Sequence, residues 1–141
     1  MKPAETPIAA SGKNRHIPFL HYLGMQRTHA EGGTATVELT LNADLLNNHG
    51  AGHGGVLMTL LDSAMANAAL SRIDFAREVV TIDMHIGFMR PAALGHLRAV
   101  GRSTGGGRSV CFCEAEVLDE QGEIVAKAMG TFRYRDPQQP Q

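Results

Sequence analysis

The chain has 141 residues, 43% of them hydrophobic, 19% charged and 5% aromatic, with no Trp. That length suits one domain with a full hydrophobic core and leaves little room for a second. Thirteen Lys and Arg against fourteen Asp and Glu leave a formal charge of −1, so no electrostatic reason exists for a nucleic-acid or anionic-membrane partner.

Residues 1–16 hold two of the six prolines with Gly, Ser and Lys and no periodic apolar pattern, and read as a flexible arm. The start, Met1–Pro7, lacks the apolar core of a signal peptide, which predicts a cytoplasmic protein. A single domain is expected over 17–135, and a flexible tail over 136–141. Within the domain, Ile17–Tyr22 reads as one helical turn leading to a strand near Met25–His29. Ala35, Val37, Leu39 and Leu41 alternate with Thr34, Thr36, Glu38 and Thr40, the period of a half-buried strand. Asn42–Gly52, dense in Asn and Gly, reads as loop.

Gly54–Leu70 is the single long helix candidate, rich in Ala, Leu and Met. Apolar residues lie almost all round it (Val56, Leu57, Leu60, Leu61, Ala64, Met65, Ala68), which predicts a buried helix. Four strands are expected after it: Glu78–Phe88, Leu94–Ser103, Ser109–Leu118 and Ile124–Tyr134. Arg90-Pro91-Ala92, Gly105-Gly106-Gly107 and Asp119-Glu120-Gln121-Gly122 supply turn chemistry between them. One buried helix with about six strands predicts an α+β domain, an antiparallel sheet wrapped on a helix.

The chemistry concentrates in Asn47-Asn48-His49-Gly50-Ala51-Gly52-His53-Gly54-Gly55 and in Asp62 beyond it. Gly54 and Gly55 open a helix, where backbone N–H groups lack internal partners and the dipole is positive. With no side chain, these glycines let a ligand oxygen approach the backbone, and such a helix start stabilises charge developing on oxygen. Asn47 can add an amide N–H from the loop. Asp62 is the only formally charged side chain between Gly54 and Leu70. A carboxylate buried without partners is destabilising; Asp62 therefore serves either chemistry or packing through bonds from Thr59, Ser63 or a partner chain.

Asp62 lies eight positions after Gly54, about 12 Å along the axis at ~1.5 Å per residue. A reacting carbonyl must sit about 3 Å from both attacking group and oxyanion donors. One chain cannot satisfy both, so joint action requires Gly54 of one subunit to face Asp62 of another across a two-fold interface. Ala64, Ala66, Ala68 and Ala69 would allow two such helices to approach closely.

The pattern Asn47, Gly50, His53, Gly54, Gly55, with Asp62 seven positions after the second glycine, resembles hotdog-fold acyl-CoA thioesterases of the PaaI type. The likeness continues through Val80–Met84, Phe88–Ala92, Gly95 and Val125–Phe132, covering roughly residues 20–134. The resemblance implies a hotdog fold, a homodimer or a dimer of dimers, and hydrolysis of an acyl-CoA to a free acid and CoA without metal or redox cofactor. It implies that the Gly54 N–H polarises the thioester carbonyl with help from Asn47, that His53 shapes the turn and touches the thioester region, and that the neighbouring chain's Asp62 is general base or nucleophile. It also implies that Thr81 holds the attacking water, Thr standing where Ser is frequent. Gly55 belongs to the substrate-binding turn, and Arg90 and Arg108 are the candidates for CoA phosphate.

Other signals carry less. Gly50, Gly52 and Gly55 spell a dinucleotide motif, but no strand immediately precedes it and no βαβ alternation follows. His49 and His53, with Asp83 and His85 downstream, lack the helix placement and neighbouring ligands of a zinc site. Asp83 and His85 alternate with Ile82, Met84 and Ile86 as the polar face of a strand. Cys111 and Cys113, too close in sequence for an ordinary bridge, share one strand face and read as small core residues. A hydratase or dehydratase on acyl thioesters is the competing enzyme, and a non-catalytic acyl-CoA-binding protein the competitor from another class.

Overall fold

Pro18, whose missing N–H is no loss in a first helical turn, starts α1 (Pro18–Leu23), and Gly24 ends it with φ of 81°. The chain then pairs β1 (Gln26–Glu31) with β2 (Thr34–Leu41) through Gly32 and Gly33, both at positive φ. Burial alternates along β2 as its sequence period requires, with Ala35, Val37, Leu39 and Leu41 inside. After a short 3₁₀ turn at Ala43–Leu45 and a loop come α2 (Gly54–Arg72), β3 (Glu78–Phe88), β4 (Gly95–Gly106), β5 (Val110–Leu118) and β6 (Ile124–Arg135). These elements come from a computed structural model describing residues 16–137. The arm and tail expected from the sequence lie outside the described residues, apart from His16, Asp136 and Pro137. No described helix is long and apolar enough to cross a membrane.

The six strands form one antiparallel sheet in the order β1-β2-β4-β5-β6-β3, curved around α2. This is the α+β architecture expected from the sequence. Several element ends shift by one or two positions, and the end of β4 by three. The expected strand end at Ser103 is overrun, because Gly105 and Gly106 pair with Phe112 and Cys111 beyond a bulge. Gly106, at φ 134°, lies so close to Val110 that a Cβ would meet its carbonyl oxygen at 2.3 Å.

α2 buries Leu60, Leu61, Ala64, Met65, Ala68 and Ala69 completely. They meet Val37, Leu97, Val117 and Phe132 from the sheet, within one continuous core. Each fully buried large side chain contributes roughly 1.5–3 kcal/mol. Cys111 and Cys113 face this core, and burial raises the Cys113 thiol above its ordinary range. They pack as small apolar residues.

Two expectations about α2 need correction. The helix is not buried all round: Gly55, Met58, Thr59, Asp62, Ala66, Asn67 and Leu70 are open or half-buried in one stripe. Asp62 therefore stands in a partly solvated groove. Nor are the four alanines free for a partner helix. Ala64, Ala68 and Ala69 are fully buried in their own subunit, where their small size lets backbone approach backbone, and only Ala66 lies on the open stripe.

Buried Ser71 fastens the far end of the helix to the β1–β2 hairpin. Its hydroxyl accepts from the Gly33 N–H at 2.9 Å and donates to the Ala68 carbonyl at 3.0 Å. Ser71→Ala leaves the Gly33 N–H unpaired, a loss of about 1–3 kcal/mol. Urea unfolding should show the lower midpoint; an unchanged one would mean that solvent already reaches that N–H.

Candidate active site

His53 is the N-cap of α2. Its Nδ1 accepts from the Gly55 N–H at 2.8 Å, and its carbonyl accepts from the Val56 and Leu57 N–H groups at 2.9 and 3.3 Å. As Nδ1 is an acceptor, the proton of the neutral ring sits on Nε2. The Gly54 N–H has no partner among the described residues. The cap thus leaves one donor open at the positive end of a 19-residue helix. Gly55, expected in the substrate turn, has its N–H committed to the cap. Its lack of a side chain admits the His53 ring, which a Cβ would meet at 3.1 Å.

The loop before the helix folds on Asn47. Its Oδ1 accepts from the N–H groups of His49 and Ala51 at 2.8 and 3.1 Å, so the amide orientation is set and Nδ2 is the end left for a ligand. Asn47 and Gly54 line one cleft of about 590 Å³, together with Phe88 and Arg90. Arg90 pairs with Glu123 at 3.4 Å, both half-exposed. Arg108 is elsewhere: it occupies the β4–β5 turn next to Gly107, whose carbonyl accepts from Arg72 at the C-terminus of α2. That is the helix end opposite to Gly54.

Asp62 opens onto a different cavity, of about 560 Å³, along the exposed stripe of α2. The Thr81 hydroxyl donates to its Oδ1 at 2.7 Å. Strict alternation would place Thr81 with Asp83 and His85 on the outer face of β3. A bulge at Ile82 prevents this: Thr81 pairs with Phe132 and Asp83 with Thr131. The extra residue turns Thr81 onto the helix side, with Met84 and Ile86. No sequence period announces this reversal; a bulge is visible only once β3 is laid against β6.

Within one chain the predicted residues therefore fall into two groups. Gly54, Asn47 and Arg90 share one cleft; Asp62, bonded by Thr81, lines the other cavity, which Gly55 also lines. Chemically, the first group offers N–H donors to a developing oxyanion, and the second offers a carboxylate oxygen beside a hydroxyl able to hold water. Sequence reasoning missed the contribution of α1, whose Ile17, Phe19 and Leu20 wall the Asp62 cavity. It also missed Phe88, whose ring lies beside Gly54. Among the described residues no group of three or more His, Cys, Asp or Glu is arranged to hold a metal ion.

The family model described as the thioesterase superfamily matches residues 49–126. A protein of Deinococcus radiodurans, provisionally named an esterase, is 33% identical over 138 residues, spanning 96% of this chain and 88% of that one. The acyl-coenzyme A thioesterase PaaI of Escherichia coli is 32% identical over 110 residues, 77% of this chain and 76% of that one. The solved structure of a conserved Pseudomonas aeruginosa protein superposes with a TM-score of 0.81 at 34% identity, covering 85% of this chain and 95% of that one.

Proposed function

The chain belongs to the thioesterase superfamily, and from that premise we propose that it hydrolyses acyl-CoA thioesters at a site shared between two subunits. The reading rests above all on the 2.7 Å bond from Thr81 to Asp62 at the rim of a largely apolar cavity. With Oδ1 engaged by Thr81, Oδ2 of Asp62 takes a proton from water, whose second proton rests on the Thr81 oxygen. The water oxygen adds to the thioester carbonyl carbon, and the resulting oxyanion is held by the Gly54 N–H and the Asn47 Nδ2. Collapse breaks the C–S bond, and the CoA thiolate leaves and regains a proton, giving free acid and CoA. Each well-placed oxyanion donor is worth about 2.7–4 kcal/mol of transition-state stabilisation.

The two groups must come from different subunits because they diverge within one. Thr81 and Phe88 stand seven positions apart on β3, roughly 23 Å at about 3.3 Å per residue. β3 is also an eleven-residue sheet edge with Val80 and Ile82 exposed, and such an edge invites another strand. Two copies of β3 paired antiparallel about His85 set residue 84 against residue 86 of the partner. The bulge at residues 81–82 then falls opposite the partner subunit's Phe88, which lies beside the partner subunit's Gly54. This single register completes two sites at once, and supports a homodimer or a dimer of dimers. In this reading Arg90, in the Gly54 cleft, is the better candidate for CoA phosphate. The free, buried thiols of Cys111 and Cys113 suit a reducing compartment such as the cytoplasm.

Mixed subunits test the sharing. Gly54→Pro removes the open N–H yet is tolerated, because Pro suits the first helical position. His53 before it already has the extended φ of −60° and ψ of 136° that a following proline requires. Paired with Asp62→Asn subunits, each mixed dimer holds one intact site, so random mixing of two inactive proteins restores about a quarter of wild-type activity. No recovery after mass spectrometry has shown mixed dimers would exclude a shared site. Thiol release, with no hydration of crotonyl-CoA, separates this reading from a hydratase.

A further inference from the structure

The cavity beside Asp62 continues past the acid for two turns of α2, and its far end is charged. Ala66, Leu70 and Val79 give it apolar walls between the acid and that end, and Met58 and Met84 line it on the other side of Asp62. At the end stand Arg27 and Arg77, with Asn67 and Glu78. Arg27 is half-buried, donates to Asn67 Oδ1 at 3.1 Å, and lies 5.3 Å over the Phe75 ring. Arg77 lies 4.8 Å over the ring of Tyr134, and it has no carboxylate partner among the described residues. The acid in the group, Glu78, receives Arg135 at 3.6 Å.

An apolar passage closing on two guanidinium groups is poorly matched to a plain hydrocarbon chain, whose methyl end would desolvate Arg77 without replacing its water. We propose that the acyl group of the substrate ends in a carboxylate, so that this protein acts on the mono-CoA thioesters of dicarboxylic acids. This inference rests on the hydrolase reading above and names its substrate class. Arg77 is the receiving group: its planar fork takes a carboxylate through two parallel N–H···O bonds, while Arg27 adds positive potential from the opposite wall.

The dimensions set the chain length. From Asp62 to Leu70 is eight helical positions, and from Thr81 back to Glu78, the first residue of β3, is three strand positions, so the backbone of Arg77, one position before β3, lies roughly 12 Å along from the acid. The attacking water at one end and the carboxylate–guanidinium contact at the other each take up roughly 3 Å. That leaves roughly 6 Å for the spacer, the reach of a short saturated chain.

The experiment is a steady-state comparison of matched thioesters: adipyl-CoA against hexanoyl-CoA, and suberyl-CoA against octanoyl-CoA, read by thiol release. Wild type is expected to favour the dicarboxylic member by at least about tenfold in kcat/KM, carried by KM, as a charge-assisted hydrogen bond supplies. Arg77→Met should abolish the preference, and Arg77→Lys should restore part of it. Equal rates for the matched pairs, or a preference for the methyl-ended thioesters, would overturn the dicarboxylate inference while leaving the hydrolase reading intact. A proportional fall on both members in Arg77→Met would make Arg77 a support for Tyr134 and overturn it equally. Absence of thiol release from all four, and from a wider acyl-CoA panel, would remove the hydrolase reading and this inference with it.

Discussion

Asp62→Asn is expected to lower kcat for acyl-CoA hydrolysis by about 10²–10⁴-fold, the usual contribution of a positioned general base, with substrate binding retained. The asparagine keeps the shape and still accepts from Thr81 through its carbonyl oxygen, but it cannot take a proton from water. A loss concentrated in kcat therefore separates proton transfer from damage to the fold. Thr81→Val should be milder, about tenfold, since it removes one hydrogen bond to a carboxylate that stays in place and the rest for the water. The pair is diagnostic. Asp62→Asn with near-normal turnover would remove the mechanism, whereas a Thr81→Val loss equal to that of Asp62→Asn would make the hydroxyl, and not the carboxylate, the indispensable group. Calorimetric binding of a non-hydrolysable thioether analogue shows whether affinity is preserved in both variants.

The largest expected effect on stability comes from a residue with no side chain. Gly101 lies on β4, between Ala35 of β2 and Ala115 of β5, where the sheet meets the middle of α2. A Cβ there would lie 2.6 Å from the Ala64 carbonyl oxygen, 2.7 Å from its carbon and 3.0 Å from the Met65 nitrogen. These are backbone atoms of a buried helix, with no rotamer to relieve the overlap. Gly101→Ala must push α2 off the sheet, and Leu60, Leu61 and Met65 lose contacts together. Overpacking of this kind costs about 1–3 kcal/mol, occasionally more, and this site belongs at the upper end. Tm should fall by on the order of 10 °C. A variant as stable as wild type would mean that α2 does not dock at this distance. Gly130→Ala offers a contrast: its Cβ would meet side chains, the Met65 methyl and the Phe132 ring, each at 3.1 Å, instead of backbone, so that side-chain shifts within the core relieve it at smaller loss.

The two effects are linked through α2. The helix must be seated on the sheet by its small residues for its open stripe to carry Asp62 at the right height for Thr81. Ala64, Ala68 and Ala69 set that height from below. A substitution at Gly101 is therefore expected to reduce turnover as well as stability.

Much was legible along the chain, and for local reasons. The alternation in Thr34–Leu41 marks a strand because side chains change face at every residue, and the Gly54-Gly55 start marks an anion-friendly helix end because the first N–H groups of any helix are orphaned. The 12 Å between Gly54 and Asp62 follows from helix rise alone, and the proposal of a shared site starts from it. The family resemblance, and Asp62 and Gly54 as the residues to question, needed no coordinates.

What tertiary structure decided concerns faces and ends. The bulge at Ile82 exists only against β6, and it moves Thr81 from the outer side of the sheet to the side of the acid. His53 proves to be a cap, which leaves Gly54 rather than Gly55 with the open N–H. Of four alanines suited to a helix–helix contact, three turn inward, because Gly101 and the sheet close on them first. Arg27 and Arg77, fifty positions apart in sequence, line one cavity. Periodicity and turn chemistry act over a few neighbours and can be read from them, whereas register and the choice of face depend on strands distant in the chain, so only the assembled sheet determines them.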